Sequence, residues 1–221
     1  MISKTGSNEW IDISIPLKRG MVHWPDDPPV RIDRILDLDR GDPCSVSMIA
    51  MTAHTGTHID APLHYIRDGQ GIDDMPFETT IGMARVIEIF DEGSIKKEEL
   101  ITHHIDHGER ILLKTKNSSR CWKSDRFEKD FVYLTQDAAR FLADRKIRTV
   151  GIDYLSVGGL EGEGIETHWT LLKSGIWIIE GLDLSGIDSG MYHLICLPIR
   201  IEKSDGAPAR AIVKKASCRN T

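Results

Sequence analysis

Phe131-Val-Tyr-Leu-Thr-Gln-Asp-Ala-Ala-Arg-Phe-Leu-Ala-Asp-Arg-Lys-Ile-Arg-Thr-Val-Gly-Ile-Asp153 reads as a strand, a helix and a second strand. Phe131–Leu134 and Thr149–Asp153 are rich in β-branched, aromatic and aliphatic residues, which suit a pleated sheet. Between them Thr135 is placed to cap a helix with its hydroxyl, and Asp137 suits the positive N-terminal end. Ala139, Phe141 and Leu142 then recur at helical spacing. Two strands joined through a helix are predicted to pair in parallel by a crossover.

Outward from this unit, strands outnumber helices. Trp10–Ile15, Val30–Leu36, Val46–Thr52, Arg85–Phe90, Ile111–Thr115, Ile176–Ile179, Leu194–Ile201 and Arg210–Val213 are apolar runs bounded by turn residues. Further helices are predicted over Thr167–Lys173, stopped by Gly175, and over Ile95–Thr102. No GxGxxG follows a strand. Gly158-Gly-Leu-Glu-Gly-Glu-Gly164 lacks the Lys-Ser/Thr of a phosphate loop and carries two glutamates, so it reads as a mobile loop. The pattern predicts an α+β fold with a mixed, barrel-like β-sheet core flanked by helices, in a single domain over 1–221.

With 40% hydrophobic and 28% charged residues, the chain has the composition of an ordinary globular protein. A net charge of −6 and scattered Lys and Arg exclude a nucleic-acid partner. The N-terminus MISKTGSNEWIDISIPL lacks the apolar core of a signal peptide, and no run approaches the roughly 20 apolar residues of a membrane helix. A cytoplasmic protein with no membrane partner is expected. Cys44, Cys121, Cys196 and Cys218 are widely spaced without a CxxC pair, which argues against a zinc finger or a disulfide framework. Cys44 is expected to be a small buried thiol.

The chemistry concentrates in His54-Thr-Gly-Thr-His58-Ile-Asp60-Ala-Pro-Leu-His64, which holds three of the nine histidines. Imidazole and carboxylate suit zinc, manganese or ferrous iron, and burying them together is costly unless a cation or a hydrogen-bond network satisfies them. On an extended strand His54 and His58 would stand roughly 13 Å apart, at about 3.3 Å per residue. Ligands about 2.0–2.2 Å from one zinc lie much closer together. The chain must therefore turn, which Gly56 permits and Pro62 punctuates. The expected path is a strand reaching His54, then a turn or short helical coil through Asp60. His64 is either a further ligand or a proton carrier, since imidazole titrates near neutrality.

His168 and Glu180 form a second point of interest. Glu180 closes the apolar stretch Trp177-Ile-Ile, so its charge needs compensation if buried. With His168 it completes a first site or begins a second, and Asp60 has two oxygens with which to bridge. His103-His104-Ile-Asp-His107 follows a charged run and reads as a solvated segment. Asp26-Asp27 before Pro28-Pro29 reads as a turn near a site mouth, and Arg200 and Lys203 as surface charges.

The stretch from His54 to His64 resembles the H-x-G-T-H-x-D-x-P-x-H signature of the cyclase-like metal hydrolases, a family that includes the bacterial kynurenine formamidases. Trp24-Pro-Asp-Asp resembles an early family segment. Val150-Gly-Ile-Asp153, Ile179-Glu-Gly-Leu182 and Asp205-Gly-Ala-Pro-Ala-Arg210-Ala resemble landmarks that follow in order. The resemblance implies a swivelling β/β/α domain, assembled as a homodimer or homotetramer. It implies His54, His58 and Asp60 as ligands of one metal, and Asp60, His168 and Glu180 as ligands of a second, with Asp60 as the bridge. His64 would be the proton acceptor, and Trp24 would contribute to the substrate pocket.

The implied cofactor is a divalent metal, zinc or alternatively manganese, as one or two ions. The implied activity is hydrolysis of a small aryl amide, with N-formylkynurenine giving kynurenine and formate in tryptophan catabolism. Related members open the cyclic amide isatin, which is the alternative, and a non-catalytic metal-binding or small-molecule-binding homologue is a second one. The chain departs from the formamidase pattern at three places expected on the pocket wall. Trp169 follows His168 where those enzymes usually carry a second histidine, and Gly158–Gly164 and Lys116–Asp130 also differ.

Overall fold

Twelve strands and five helices build the fold in a computed structural model that describes residues 9–160 and 162–216. The N-terminal eight residues, Glu161 and Cys218 lie outside the described residues. The strands are β1 (Ile11–Asp12), β2 (Arg31–Leu36), β3 (Val46–Ala50), β4 (His58–Asp60), β5 (Ile81–Glu88), β6 (Ser94–Ile95), β7 (Arg110–Lys114), β8 (Tyr133–Leu134), β9 (Thr149–Ile152), β10 (Trp177–Glu180), β11 (Gly190–Pro198) and β12 (Gly206–Lys215). The helices are α1 (Phe77–Thr80), α2 (Lys97–Thr102), α3 (Lys116–Arg120), α4 (Gln136–Asp144) and α5 (Gly164–Lys173). Among the described residues no helix is long and apolar enough to cross a membrane.

The main sheet runs β1-β12-β11-β5-β7-β9-β10-β4, and a further pairing of β12 with β4 closes it into a barrel. β5, β7, β9 and β10 pair in parallel, while the remaining contacts are antiparallel. The first residues of β12 pair with β4 and its later residues with β1, so one long strand serves both short ones. The α+β class and the mixed, barrel-like sheet agree with the sequence reading.

Side-chain alternation splits each barrel strand between two cores. Ile59, Val86, Leu112 and Ile179 point into the barrel with Leu194 and Val213. Ile87, Ile111, Leu113, Val150 and Ile178 point outward, where α4 and α5 cover them through Phe141, Leu142, Leu171 and Leu172. Thr135 caps α4 as its hydroxyl accepts from the Ala138 N–H. α5 starts three residues earlier than the periodicity indicates and ends before Gly175, which has a φ of 77°.

Four sequence expectations are corrected. β8 does not pair with β9: it joins β6 in a separate two-stranded sheet, and the parallel partners of β9 are β7 and β10. The crossover helices therefore connect neighbouring barrel strands, with α5 lying between β9 and β10. The loop from Gly158 is packed rather than free at both ends, because a Cβ on Gly164 would collide with Gly159 O. Cys44 is exposed, on the turn joining β2 to β3, whereas Cys121 and Cys196 are buried. The path through the histidine cluster also differs, since His54 lies in a turn and β4 begins after it.

Candidate metal centre

β4 is only three residues long, yet its alternation decides the site. Ile59 enters the barrel core, so His58 and Asp60 face the opposite side, toward α5. On β10, Ile179 enters the barrel and Glu180 faces out with Ile178. The antiparallel register sets Glu180 directly across from His58. α5 brings His168 over this pair from above. Gly56, at a φ of 69°, turns the chain so that His54 folds back beside the strand. The His54 ring lies over Gly206, the partner of Asp60 on β12, where any Cβ would stand 2.7 Å from its Cε1. After Pro62 a short 3₁₀ turn delivers His64, whose ring stacks on His54 with centroids 4.0 Å apart.

Backbone carbonyls fix two of the imidazoles. His58 Nδ1–H donates to Gly56 O at 3.0 Å, and His168 Nδ1–H donates to Gly164 O at 2.7 Å. Both rings then aim Nε2 at the carboxylates, the arrangement by which metal-binding histidines are oriented. His58 Nε2 is 3.3 Å from Asp60 Oδ1 and 3.4 Å from Glu180 Oε2. His168 Nε2 is 3.1 Å from Glu180 Oε1 and 3.9 Å from Asp60 Oδ2. His54 Nδ1–H donates to Asp60 Oδ1 at 2.8 Å, while its Nε2–H donates to Asp205 Oδ2 at 2.9 Å.

Ligand-type atoms of His54, Asp60 and His64 converge within 4.8 Å, and so do those of His58, Asp60 and Glu180. Asp60 belongs to both groups, and His168 adjoins the second through Glu180. All six residues expected at the metal or as proton carrier thus meet, although His58 sits with Glu180 rather than with His54. The segment His103–His107 forms no such group among the described residues.

The electrostatics favour a cation. Burial alone lowers the His54 pKa, but the hydrogen bonds to Asp205 and Asp60 outweigh it and hold the ring up at about 9. Burial likewise opposes charge on His58, yet Asp60 and Glu180 raise it to about 10. Burial would raise Asp60, but His54 and His58 hold it well below the usual carboxylate range. His64 is different, because burial lowers its pKa and leaves the ring neutral. Among the described residues four buried side-chain atoms have no hydrogen-bond partner, and two of them, His58 Nε2 and Asp60 Oδ2, lie in this cluster, the nitrogen approaching its carboxylates only to 3.3 and 3.4 Å. An unpaired imidazole nitrogen beside an unpaired carboxylate oxygen is costly in a dry site, and a divalent cation would satisfy both. The donor set of imidazole nitrogens and carboxylate oxygens fits such an ion.

A cleft of about 380 Å³ opens onto the cluster, lined by Trp24, His54, His64, Tyr65, His168 and Glu180 among others. Trp24 is held edge-on by Phe127 and Phe131 at centroid distances of 5.4 and 6.4 Å. The divergent segment after Lys116 therefore shapes the cleft through Phe127. Gly159, Leu160, Gly162 and Gly164 also line it. Trp169 does not: it is exposed beneath Lys173 Nζ, 4.2 Å from its ring, so that departure lies off the cleft wall.

Sequence reasoning missed two residues. Asp205, just before β12, hydrogen-bonds His54 and lies 3.7 Å from His64 Nδ1 through Oδ2. Tyr65 stacks on His168 with centroids 4.9 Å apart and an interplanar angle of 22°. Asp205 opens the last of the segments that resemble family landmarks, but that resemblance carried no role for it. Nothing distinguished Tyr65 from a core aromatic.

The chain is similar in sequence and in fold to known proteins. The Cyclase family model matches residues 11–158. A kynurenine formamidase of Bacillus cereus is 36% identical over 208 residues, covering 94% of this chain and 98% of the relative. The solved structure of a potential metal-dependent hydrolase with cyclase activity superposes with a TM-score of 0.83 at 33% identity, covering 95% of this chain and 99% of that one. Isatin hydrolase A from Labrenzia aggregata shares the fold, with a TM-score of 0.81 at 23% identity over 96% of this chain and 95% of its own. The chain belongs to the Cyclase family and has the α+β fold, with a mixed barrel-like sheet, of its solved relatives.

Proposed function

We propose that the protein hydrolyses a small aryl amide, with an N-formyl arylamine such as N-formylkynurenine as its substrate and the free arylamine and formate as products. The observation that carries this reading is the pair of orphaned buried atoms, His58 Nε2 and Asp60 Oδ2, beside an aromatic-lined cleft. His54, His58, Asp60, His168 and Glu180 would hold one or two divalent ions, zinc or manganese, with Asp60 bridging. When bound, such an ion polarises the amide carbonyl and makes water nucleophilic near neutrality.

The chain's own residues supply the remainder. Trp24 offers a rigid face on which an aryl ring stacks. His64 is neutral, and with Nδ1 turned toward Asp205 its Nε2 is free to take a proton from the attacking water. As the C–O bond forms and the C–N bond breaks, the same nitrogen returns that proton to the leaving amine. Replacing His64 by Ala is expected to lower kcat by about 10²–10⁴-fold with metal content unchanged. Near-normal turnover in that variant would remove His64 from the mechanism.

The exposed apolar residues of the β2–β3 hairpin, Ile35, Val46, Met48 and Ile49, support assembly as a homodimer or homotetramer. Sedimentation gives the stoichiometry. A cytoplasmic location accords with this reading, and fractionation of the source cells tests it.

A further inference from the structure

The turn carrying Trp24 also carries Asp27, closed by the Asp27 N–H donating to Trp24 O at 3.2 Å. Both residues line the cleft. Asp27 is half-buried, and its Oδ2 accepts from the Thr52 hydroxyl at 3.2 Å. Among the described residues it takes part in no ion pair. Among the described residues no Lys or Arg lines the cleft, whose apolar walls include Tyr65, Leu155 and Ile165. A half-buried carboxylate without a counter-charge, next to an indole ring, is the chemistry that receives an ammonium group. Apart from the histidines of the cluster itself, the described residues of these walls offer no basic side chain to a carboxylate.

We propose that Asp27, with the Trp24 ring beside it, selects aryl amides that carry an ammonium-bearing arm and disfavours those whose arm is anionic. A substrate bearing both charges would place its ammonium at Asp27 and turn its carboxylate out of the cleft. This rests on the amide-hydrolase reading above and names the substrate class for that site.

The metal-loaded enzyme is assayed with three formanilides, one unsubstituted, one with an aminomethyl group and one with a carboxymethyl group. The expected order of kcat/KM is ammonium, then neutral, then carboxylate, with steps of about tenfold, shrinking as salt is raised. Asp27→Asn brings the ammonium-to-neutral ratio close to one, whereas Asp27→Glu keeps a preference for the ammonium substrate. Calorimetry with benzylamine and phenylacetate gives a readout independent of turnover, with benzylamine the tighter ligand and Asp27→Asn erasing the difference. Hydrolysis of all three substrates without charge preference, or a ratio unmoved in Asp27→Asn, overturns the role of Asp27 and leaves the hydrolase reading standing. Benzylamine binding through Asp27 with no formanilide hydrolysed overturns the hydrolase reading and leaves the cation site standing. Should Asp27→Asn fail to fold, the wild-type ranking and the two ligands decide.

Discussion

Asp60 and Asp153 are both fully buried carboxylates, yet their surroundings differ. Asp153 sits past the end of β9, where four donors meet it. The Thr115 and Ser118 N–H groups donate to Oδ2 at 2.8 and 3.1 Å, and their hydroxyls donate to Oδ1 and Oδ2 at 2.8 Å each. Thr115 also caps α3, and Ser118 Oγ accepts from the Leu184 N–H, so the carboxylate ties three segments together. Asp60 instead faces imidazoles and a second carboxylate, and its Oδ2 has no partner. Burial of charge therefore does not by itself mark a functional site in this fold. The mark is incomplete burial within a cluster: Glu99 Oε2 is also without a partner but belongs to no group of converging donors among the described residues, whereas Asp60 Oδ2 lies among imidazoles and a second carboxylate.

The largest expected effect follows from removing the incomplete one. Asp60→Asn takes away the carboxylate charge shared by the two donor groups, and turnover should fall by about 10³-fold or more, with loss of tightly bound metal in elemental analysis. Its far-ultraviolet circular dichroism should remain that of the folded protein. A variant that keeps full metal content would break the contrast by showing that Asp60 is satisfied by protein alone.

Chelation tests the same contrast without mutation. An ion that binds only the folded state contributes about 2.7 kcal/mol when present at a hundred times its Kd. The metal-free protein should lose activity and melt several degrees lower, and both should return when zinc or manganese is restored. An unchanged melting temperature would mean that the orphaned atoms are not held by an ion in the folded state.

Asp153→Asn attacks the completed site. The amide nitrogen would face a donor, so at least one buried N–H or hydroxyl loses its acceptor at a cost of about 1–3 kcal/mol. Denaturant unfolding should show that loss, while metal stoichiometry stays that of the parent. Loss of metal without loss of stability would reverse the roles assigned to the two aspartates.

The sequence made the cluster's composition legible because the chemistry is local. Three imidazoles and a carboxylate within one short stretch need a common purpose wherever the chain goes. Glu180 was legible because it ends an apolar strand. Asp205 was not, since its place beside His54 depends on the pairing of β12 with β4, a contact across some 150 residues that no local pattern encodes. β4 was missed for a related reason. Three residues with one apolar side chain are too short a run for alternation to be read from the sequence, and only the neighbouring β10 and β12 make them a strand. The same non-local pairing misled the reading of β8, whose composition is that of a strand but whose partner is β6.

The smallest effect expected is the pH dependence of the metal-free protein, and its dependence on metal separates the two sites. His54 and His58 have folded pKa values raised to about 9 and about 10, above the ordinary imidazole value of 6.5. A raised imidazole contributes stability that is fully present below its unfolded pKa and is lost as pH rises through the folded value. The metal-free protein should therefore become less stable between about pH 6.5 and 10, by a few degrees in melting temperature. With metal bound, the imidazoles are held unprotonated in both limits, so the alkaline loss should vanish. Burial raises the Asp153 pKa against four opposing donors, and that contribution is the same with and without metal, so the difference between the two forms reports the cluster. An alkaline loss that persists in the metal-loaded protein would place its origin outside the cluster.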